Sequence, residues 1–331
     1  MSNADALFRV GAWLRETGYR FVTVTPATHA RVNARATARE ANSLRDVFGW
    51  SRPFRRSLLP QSALALLEEG GALEHRAGLL RSNVRFSTLG DSLYVHSAYP
   101  TTESEAVFFG PDTYRFAALI ERTLAITRDT GIGSIVDIGC GAGAGGIVAA
   151  KAAQNQSPQL ILADINPTAL RYARINVALA AIPQVSFRQG DLFRAVAEPI
   201  DLIVANPPYL LDAGARVYRH GGGELGSDLS VRIVVEGLPR LAAGGIMILY
   251  TGAPIIDGED TFWEVVAPTL RRADLQCEYE EIDPDVFGEE LDHPVYARVD
   301  RIAAVSLVVR KSKPATEKRI AYAGAHPAAS A

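Results

Sequence analysis

Asn206, Pro207, Pro208 and Tyr209 end an apolar run in the stretch DLIVANPPYL, residues 201–210. These residue types suit one kind of chemistry. An asparagine amide oxygen accepts an N–H. Proline has no backbone donor and a fixed φ, so a Pro-Pro pair presents carbonyl acceptors on a rigid chain. A tyrosine ring can stack on a planar group. Acceptors arranged around a planar nitrogen would stabilise positive charge growing on it, as donors stabilise an oxyanion. The other use of the same four residues is a rigid turn at a strand end.

A second set lies upstream. VDIGCGAGAGG follows a strand-like run and opens a helical one, and Gly139, Gly141 and Gly143 allow a tight turn and close approach of a ligand. The start of the helix supplies free N–H groups. Alone, this loop also fits a dinucleotide pattern through Gly139, Gly141 and Ala144. Three acids narrow the choice. Asp137 stands two residues before the first glycine, where a carboxylate suits an ammonium group better than a pyrophosphate. Asp164, in ILADINP, ends the next strand and can accept both hydroxyls of a ribose. Asp191, in QGDLF, ends the third. Successive strand ends share one edge of a parallel sheet, the usual ligand side of open α/β folds. Together the acids describe a ligand with an amine, a ribose and an adenine amino group. S-adenosylmethionine has all three. A nicotinamide dinucleotide would leave Asp191 and the NPPY residues without roles.

The elements that must position these residues are legible from about residue 105. Strand-like SIVDI, LILADI, VSFRQ, DLIVA, GIMILYT, CEYEEI and AAVSLVVR alternate with helical stretches, among them PTALRYARINVALAA and LSVRIVVEGLPRLAA. Regular alternation predicts a parallel sheet covered by helices on both faces. The first hundred residues read differently. Leu7, Val10 and Leu14 mark a helix, YRFVTVTP a short strand, and ATAREANSLRDVFGW a second helix. An apolar helix follows, with Leu64, Leu67 and Leu73 on one side. Val84, Phe86, Leu93 and Val95 then alternate around an LGDS turn. Helices followed by a hairpin resemble a small winged-helix module. The expected organisation is an α+β substrate-recognition domain over residues 1–104, an α/β domain over 105–311 and a disordered tail over 312–331.

The second domain resembles a class I S-adenosylmethionine-dependent methyltransferase. The resemblance implies a Rossmann-like sheet of seven strands, the last antiparallel. It implies that Gly139, Gly141 and Gly143 border the methionine part and that Asp137 lies near the amine, directly or through water. Asp164 would bind the ribose hydroxyls, and Asp191 and the backbone of Leu192 the adenine. It puts Asn206, Pro207, Pro208 and Tyr209 beside the transferable methyl group. A nitrogen conjugated to a ring or carbonyl is a poor nucleophile, and its lone pair must be turned in line with the departing sulfur. Asn206 and the Pro207 carbonyl would accept its two hydrogens.

GPDTYRFAALIERTL and HGGGELGSDLSVRIVVEGLPRLAAGGIMILYTG, on either side of these motifs, resemble release-factor glutamine methyltransferases of the HemK type. That group implies N-methylation of a protein glutamine. The alternatives are a base amino group in RNA or DNA, a small molecule, and a non-catalytic module that keeps the cofactor site. Gly110 and Tyr114 depart from the group's lead-in, which carries arginine and glutamate there. The N-terminal region departs from its helical bundle.

Charge is uneven. Residues 1–100 hold 13 Arg, no Lys and 8 acids, net +5, against 21 basic and 29 acidic residues, net −8, in the rest. Such asymmetry fits either an anionic partner or an arginine-rich solvated surface. WSRPFRR, with Trp50 before Arg52 and Phe54 between Arg52 and Arg55, could contact RNA or the other domain. Two cysteines exclude a disulfide framework, six scattered histidines show no metal-ligand spacing, and no apolar run approaches the ~20 residues of a membrane span. The opening residues lack the pattern of a secretory signal, so the expected compartment is the cytoplasm.

Overall fold

A computed structural model describes residues 3–76, 78–127, 131–196, 199–211 and 218–313. From position 314 onward the expected disordered tail lies outside the described residues.

The N-terminal region is α+β. Helix α1 (Asn3–Glu16) buries Leu7, Val10 and Leu14, as their spacing predicts. YRFVTVTP is not a strand. Its Phe21 carbonyl accepts from the Thr88 N–H at 2.8 Å, and then Thr25 caps α2 (Pro26–Asn33). Thr-Pro is a strong helix start, and it overrides the β-branched run before it. The expected second helix is broken. Only a 3-10 turn at Ala36–Ala38 and the five-residue α3 (Leu44–Phe48) form, because Ser43 accepts from the Asp46 N–H and starts the helix afresh. Helix α4 (Gln61–Glu69) buries Leu64 and Leu67, but Gly70 and Gly71 end it. Leu73 therefore belongs to β1 (Leu73–Arg76), which pairs with β2 (Leu79–Ser82). The expected hairpin is present as β3 (Val84–Leu89) and β4 (Ser92–Ser97), with Phe86 opposite Val95.

Helix α5 (Pro111–Ile126) leads into the sheet domain. There follow β5 (Ser134–Ile138), α6 (Ala144–Ala152), β6 (Gln159–Asp164), α7 (Pro167–Ala180), β7 (Val185–Gln189) and β8 (Ile200–Ala205). After them come α8 (Asp228–Gly237), β9 (Leu241–Ile256), the two-residue β10 (Glu259–Asp260), α9 (Thr261–Leu270), β11 (Leu275–Asp283) and β12 (Arg301–Lys311). The helix expected over LSVRIVVEGLPRLAA stops at Gly237, where Pro239 cannot continue its hydrogen bonding, and Leu241 already belongs to β9.

The main sheet runs β11-β12-β9-β8-β5-β6-β7, with β10 paired to β9. Strands β5 to β9 are mutually parallel, and β12 is antiparallel to both of its neighbours. The last strand in sequence is thus the reversed one, as the class I methyltransferase resemblance implied. Alternate residues feed two cores. Ile135, Leu162, Val204 and Ile248 face the side covered by α5, α6 and α7. Val136, Ile203, Met247 and Val305 face the side of α8 and α9. The N-terminal region packs on the first side. Asn176 of α7 is fully buried there; its amide donates to the Val95 carbonyl at 3.0 Å and accepts from the Val95 N–H at 2.7 Å. The change of architecture near residue 104 is therefore not a gap in packing, since one apolar core runs through both regions.

Candidate active site

A cavity of about 560 Å³ opens at the C-terminal ends of β5, β6, β7 and β8. Parallel strands ending together leave their following loops at one edge, which is why distant sequence positions meet there. Its wall includes Gly139, Gly141, Asp164, Asp191, Leu192 and all four NPPY residues. Asp137 and Gly143 are not on that wall.

Asp164 is the most constrained of these groups. One carboxylate oxygen accepts from the Gly141 N–H and the other from the Asn166 N–H, both at 2.8 Å. A carboxylate has about four acceptor positions, so two such bonds leave capacity toward the cavity. Gly141 lies at φ +53°, a left-handed conformation natural to glycine, which turns its N–H back onto Asp164. Asp191 faces Arg232 of α8 with both oxygens, at 2.9 and 3.2 Å, and that guanidinium holds its carboxyl below the usual range.

Asp137 is only 1 % exposed and accepts from the Gly146 N–H at 2.7 Å, tying β5 to the first turn of α6. Gly143 caps α6 at φ +80°, and a Cβ there would meet Leu162 and Ala173 at 3.2 and 3.3 Å. Both residues shape the loop from behind. Burial pushes the Asp137 carboxyl up to about 7, with the charge of Asp164 acting the same way and the Gly146 N–H opposing. The folded chain then holds a proton that the unfolded chain releases near its ordinary 3.8. Stability should fall as pH rises from about 4 to about 7 and level off above. Asp137→Asn should flatten that decline, as followed by chemical denaturation across the range. An unchanged slope in the variant would assign the pH dependence to other groups.

The NPPY residues divide into two kinds. Asn206 reaches the cavity, and its side-chain amide has no hydrogen-bond partner among the described residues. Tyr209 is only 6 % exposed, and its hydroxyl donates to Asp112 at 2.7 Å. Its ring lies so close to Gly252 that a Cβ there would come within 2.1 Å. The ring therefore forms a fixed wall with little free face for stacking.

Asp112 is the residue that motif reading missed. It sits in the first turn of α5, lines the cavity, and also accepts from the Tyr250 hydroxyl at 2.8 Å and from Arg115 at 3.1 Å. Its only signal in sequence was the acid of the GPDTY lead-in. Asp112→Ala would leave two buried hydroxyls without an acceptor, and unfolding free energy should fall by about 2–4 kcal/mol. Thermal melts of this variant and of Tyr209→Phe, which removes one of the bonds, check the assignment. Equal melting of Asp112→Ala and wild type would refute it.

Both departures from the glutamine-methyltransferase lead-in have a local cause. A Cβ at Gly110 would lie 2.4 Å from the Phe108 ring, which stacks on Tyr218 at 5.9 Å. The Tyr218 hydroxyl in turn bonds to Thr101, so Phe108, Tyr218 and Thr101 build an outer wall of the cavity. Tyr114 accepts from the Thr23 N–H at 3.0 Å and so ties α5 to the N-terminal region. No group of three or more His, Cys, Asp or Glu among the described residues could hold a metal ion, and no described helix is long and apolar enough to cross a membrane.

Residues 117–250, which run from α5 into β9 and carry the glycine loop, Asp137, Asp164, Asp191 and the NPPY residues, match the family model of the methyltransferase small domain. Proteins similar to this segment are named for different macromolecular substrates. The release factor glutamine methyltransferase of Deinococcus radiodurans is 33% identical over 166 residues, 47% of this chain and 55% of that protein. That of Koribacter versatilis is 33% identical over 153 residues, 42% of this chain and 53% of that protein. The ribosomal RNA small subunit methyltransferase C of Salmonella newport is 27% identical over 144 residues, 42% of this chain and 38% of that protein. The chain thus spans about half the length of the glutamine methyltransferases it matches.

Proposed function

We propose that this protein is an S-adenosylmethionine-dependent N-methyltransferase whose acceptor is a planar amide or amino nitrogen of a macromolecule. The observation that carries the reading is Asn206: an amide with no partner among the described residues, on a cavity wall that also holds Asp164. An asparagine that merely capped the turn would be hydrogen-bonded to it. S-adenosylmethionine supplies an electrophilic methyl group when bound. Asp164 accepts the ribose hydroxyls with the capacity its two backbone donors leave free. Asp191, kept ionised by Arg232, and the backbone of Leu192 meet the adenine. Gly139 and Gly141 border the methionine part. Asp137 and Gly143 act on that end through the loop and the start of α6, because neither reaches the cavity.

Asn206 and the Pro207 carbonyl accept the two hydrogens of the target nitrogen, orient its lone pair and stabilise the charge that grows on it. Pro207 and Pro208 hold these acceptors rigid. Tyr209, pinned by Asp112, fixes the depth of the target pocket. No strong base is required, since a methylated planar nitrogen is acidic and releases its proton to solvent. The names and identities of the relatives support a protein glutamine as acceptor. A base amino group is the second reading, favoured by a groove in the N-terminal region that Arg39, Arg52, Arg76 and Arg81 line. Two free cysteines, Cys140 and Cys277, fit a reducing compartment, and we place the protein in the cytoplasm. Incubation with methyl-labelled S-adenosylmethionine and cell extract, followed by nuclease or protease, tests the acceptor class. Label lost to protease supports a protein and label lost to nuclease a nucleic acid. No transfer at all would sink the reading.

A further inference from the structure

The arginine-rich stretch WSRPFRR does not form a binding face by itself. Arg55 pairs with Glu40 at 2.6 Å, and Arg56 with Glu68 at 3.5 Å. The fold instead gathers arginines from three separate segments. Arg39, Arg52, Arg76 and Arg81 line a groove of about 410 Å³ in the N-terminal region, with Asn33 and Ser51 and no acidic residue among its described walls. Arg52 is held by Asp46 at 2.5 Å and by the Asn33 side chain at 3.0 Å. Arg81 is held by the Ser51 carbonyl at 3.2 Å and by the Tyr99 carbonyl. Arg39 and Arg76 are exposed and have no carboxylate partner among the described residues. The groove thus combines two guanidinium groups fixed by the protein with two left for a ligand.

The groove is linked to the cavity at the strand ends through one residue, Tyr99. Ser51 and Arg81 are groove walls, and both hold Tyr99, the first through its N–H at 3.1 Å and the second through its carbonyl. Tyr99 lines the other cavity, together with Phe108 and Tyr218. One end of the arrangement is therefore cationic and the other aromatic.

Resting on the second reading above, a base amino group as acceptor, we propose that the groove binds the phosphodiester backbone of single-stranded RNA and passes the strand toward the Asn206 cavity. Guanidinium forks match phosphate oxygens in pairs, and Arg rather than Lys supplies that geometry. A basic groove that tracks the backbone, beside aromatic rings on which bases stack, is how single strands are held without sequence reading. An acidic protein segment would use the arginines but not the rings. This goes beyond methyl transfer, because the groove's ligand follows from its own charges and not from the cofactor site.

The test uses the full chain and a short fluorescein-labelled single-stranded RNA, read by anisotropy over a salt series. The wild type should bind, and log K should fall linearly with log salt. Arg39→Ala with Arg76→Ala should weaken binding by roughly tenfold or more and reduce the slope by about 1.4, since each phosphate neutralised on a single strand contributes ~0.7. Arg55→Ala with Arg56→Ala should leave the affinity within about twofold, since those side chains already have partners. Both arginines of the first pair are exposed, so its folding should survive; a melt checks this. Absence of RNA binding, wild-type binding by the Arg39/Arg76 variant, or equal competition by a poly-glutamate peptide would overturn the proposal. Calorimetry of the same proteins with S-adenosylmethionine keeps the two readings apart. Cofactor binding with no RNA binding defeats the groove alone, and RNA binding with no cofactor binding defeats the methyltransferase reading alone.

Discussion

Asn206→Ala should lower single-turnover methyl transfer by about a hundredfold or more while melting temperature and S-adenosylmethionine affinity stay close to wild type. The magnitude is that of losing one preorganised electrostatic partner of the transition state. The second half of the expectation comes from the structure. The Asn206 amide holds no other described residue, so its removal breaks no hydrogen bond among them. A turn-capping asparagine would behave otherwise, and its loss would lower stability by about 1 kcal/mol without a specific effect on rate. Asn206→Asp keeps an acceptor of similar shape, adds a charge and removes the amide donor. It should retain part of the rate with an altered pH profile. Melting temperature, cofactor affinity and single-turnover rate, taken on both variants, separate the cases. Normal turnover in a destabilised Asn206→Ala protein would reduce NPPY to architecture.

Asp164→Ala should act on the opposite quantity. Removing this carboxylate takes away a charge-assisted acceptor for two hydroxyls, so S-adenosylmethionine affinity should fall by about 2–4 kcal/mol, or roughly 30- to 1000-fold. Turnover at saturating cofactor should change much less. Unlike Asn206, Asp164 has structural duties, since it accepts from the N–H groups of Gly141 and Asn166. The alanine variant should therefore melt lower as well, by an amount that Asp164→Asn, which retains one acceptor oxygen, partly restores. Calorimetric titration with S-adenosylmethionine and with NAD gives the decisive comparison. Unaltered S-adenosylmethionine affinity in Asp164→Ala, or tight NAD binding by the wild type, would end this assignment.

The sheet domain was legible in sequence because its central strands are buried on both faces and the loops after them carry distinctive residue types. Continuous apolar runs such as DLIVA and LILADI, too short for helices and rich in β-branched residues, fit central strands, and a glycine loop or an Asn-Pro-Pro at their ends is visible without knowing the fold. Strand ends of a parallel sheet converge whatever the details, so Asp164, Asp191 and Asn206 could be placed together from order alone. The N-terminal region was less legible. YRFVTVTP has strand-like residues, yet a single backbone bond from Thr88 to Phe21 does not make a ladder. Capping by Thr25 and Ser43 then divided the helices differently from their composition.

What the sequence by itself determined is the domain chemistry: the β–α alternation, the acids after successive strands, and an amide at the end of β8. The tertiary structure alone decided which groups face the cavity and which stand behind it. Asp137 and Gly143 carry the right residue types, but the first is buried behind the cavity wall, bonded to the Gly146 N–H, and the second packs against Leu162 and Ala173. Asp112 lies 97 residues before Tyr209, and nothing local shows that its carboxylate fixes that ring. Likewise, Arg55 and Arg56 look like a binding motif but are neutralised by Glu40 and Glu68, while Arg39 and Arg76 share a groove only after folding. A side chain's availability depends on its partners, and partners distant in sequence are chosen by packing.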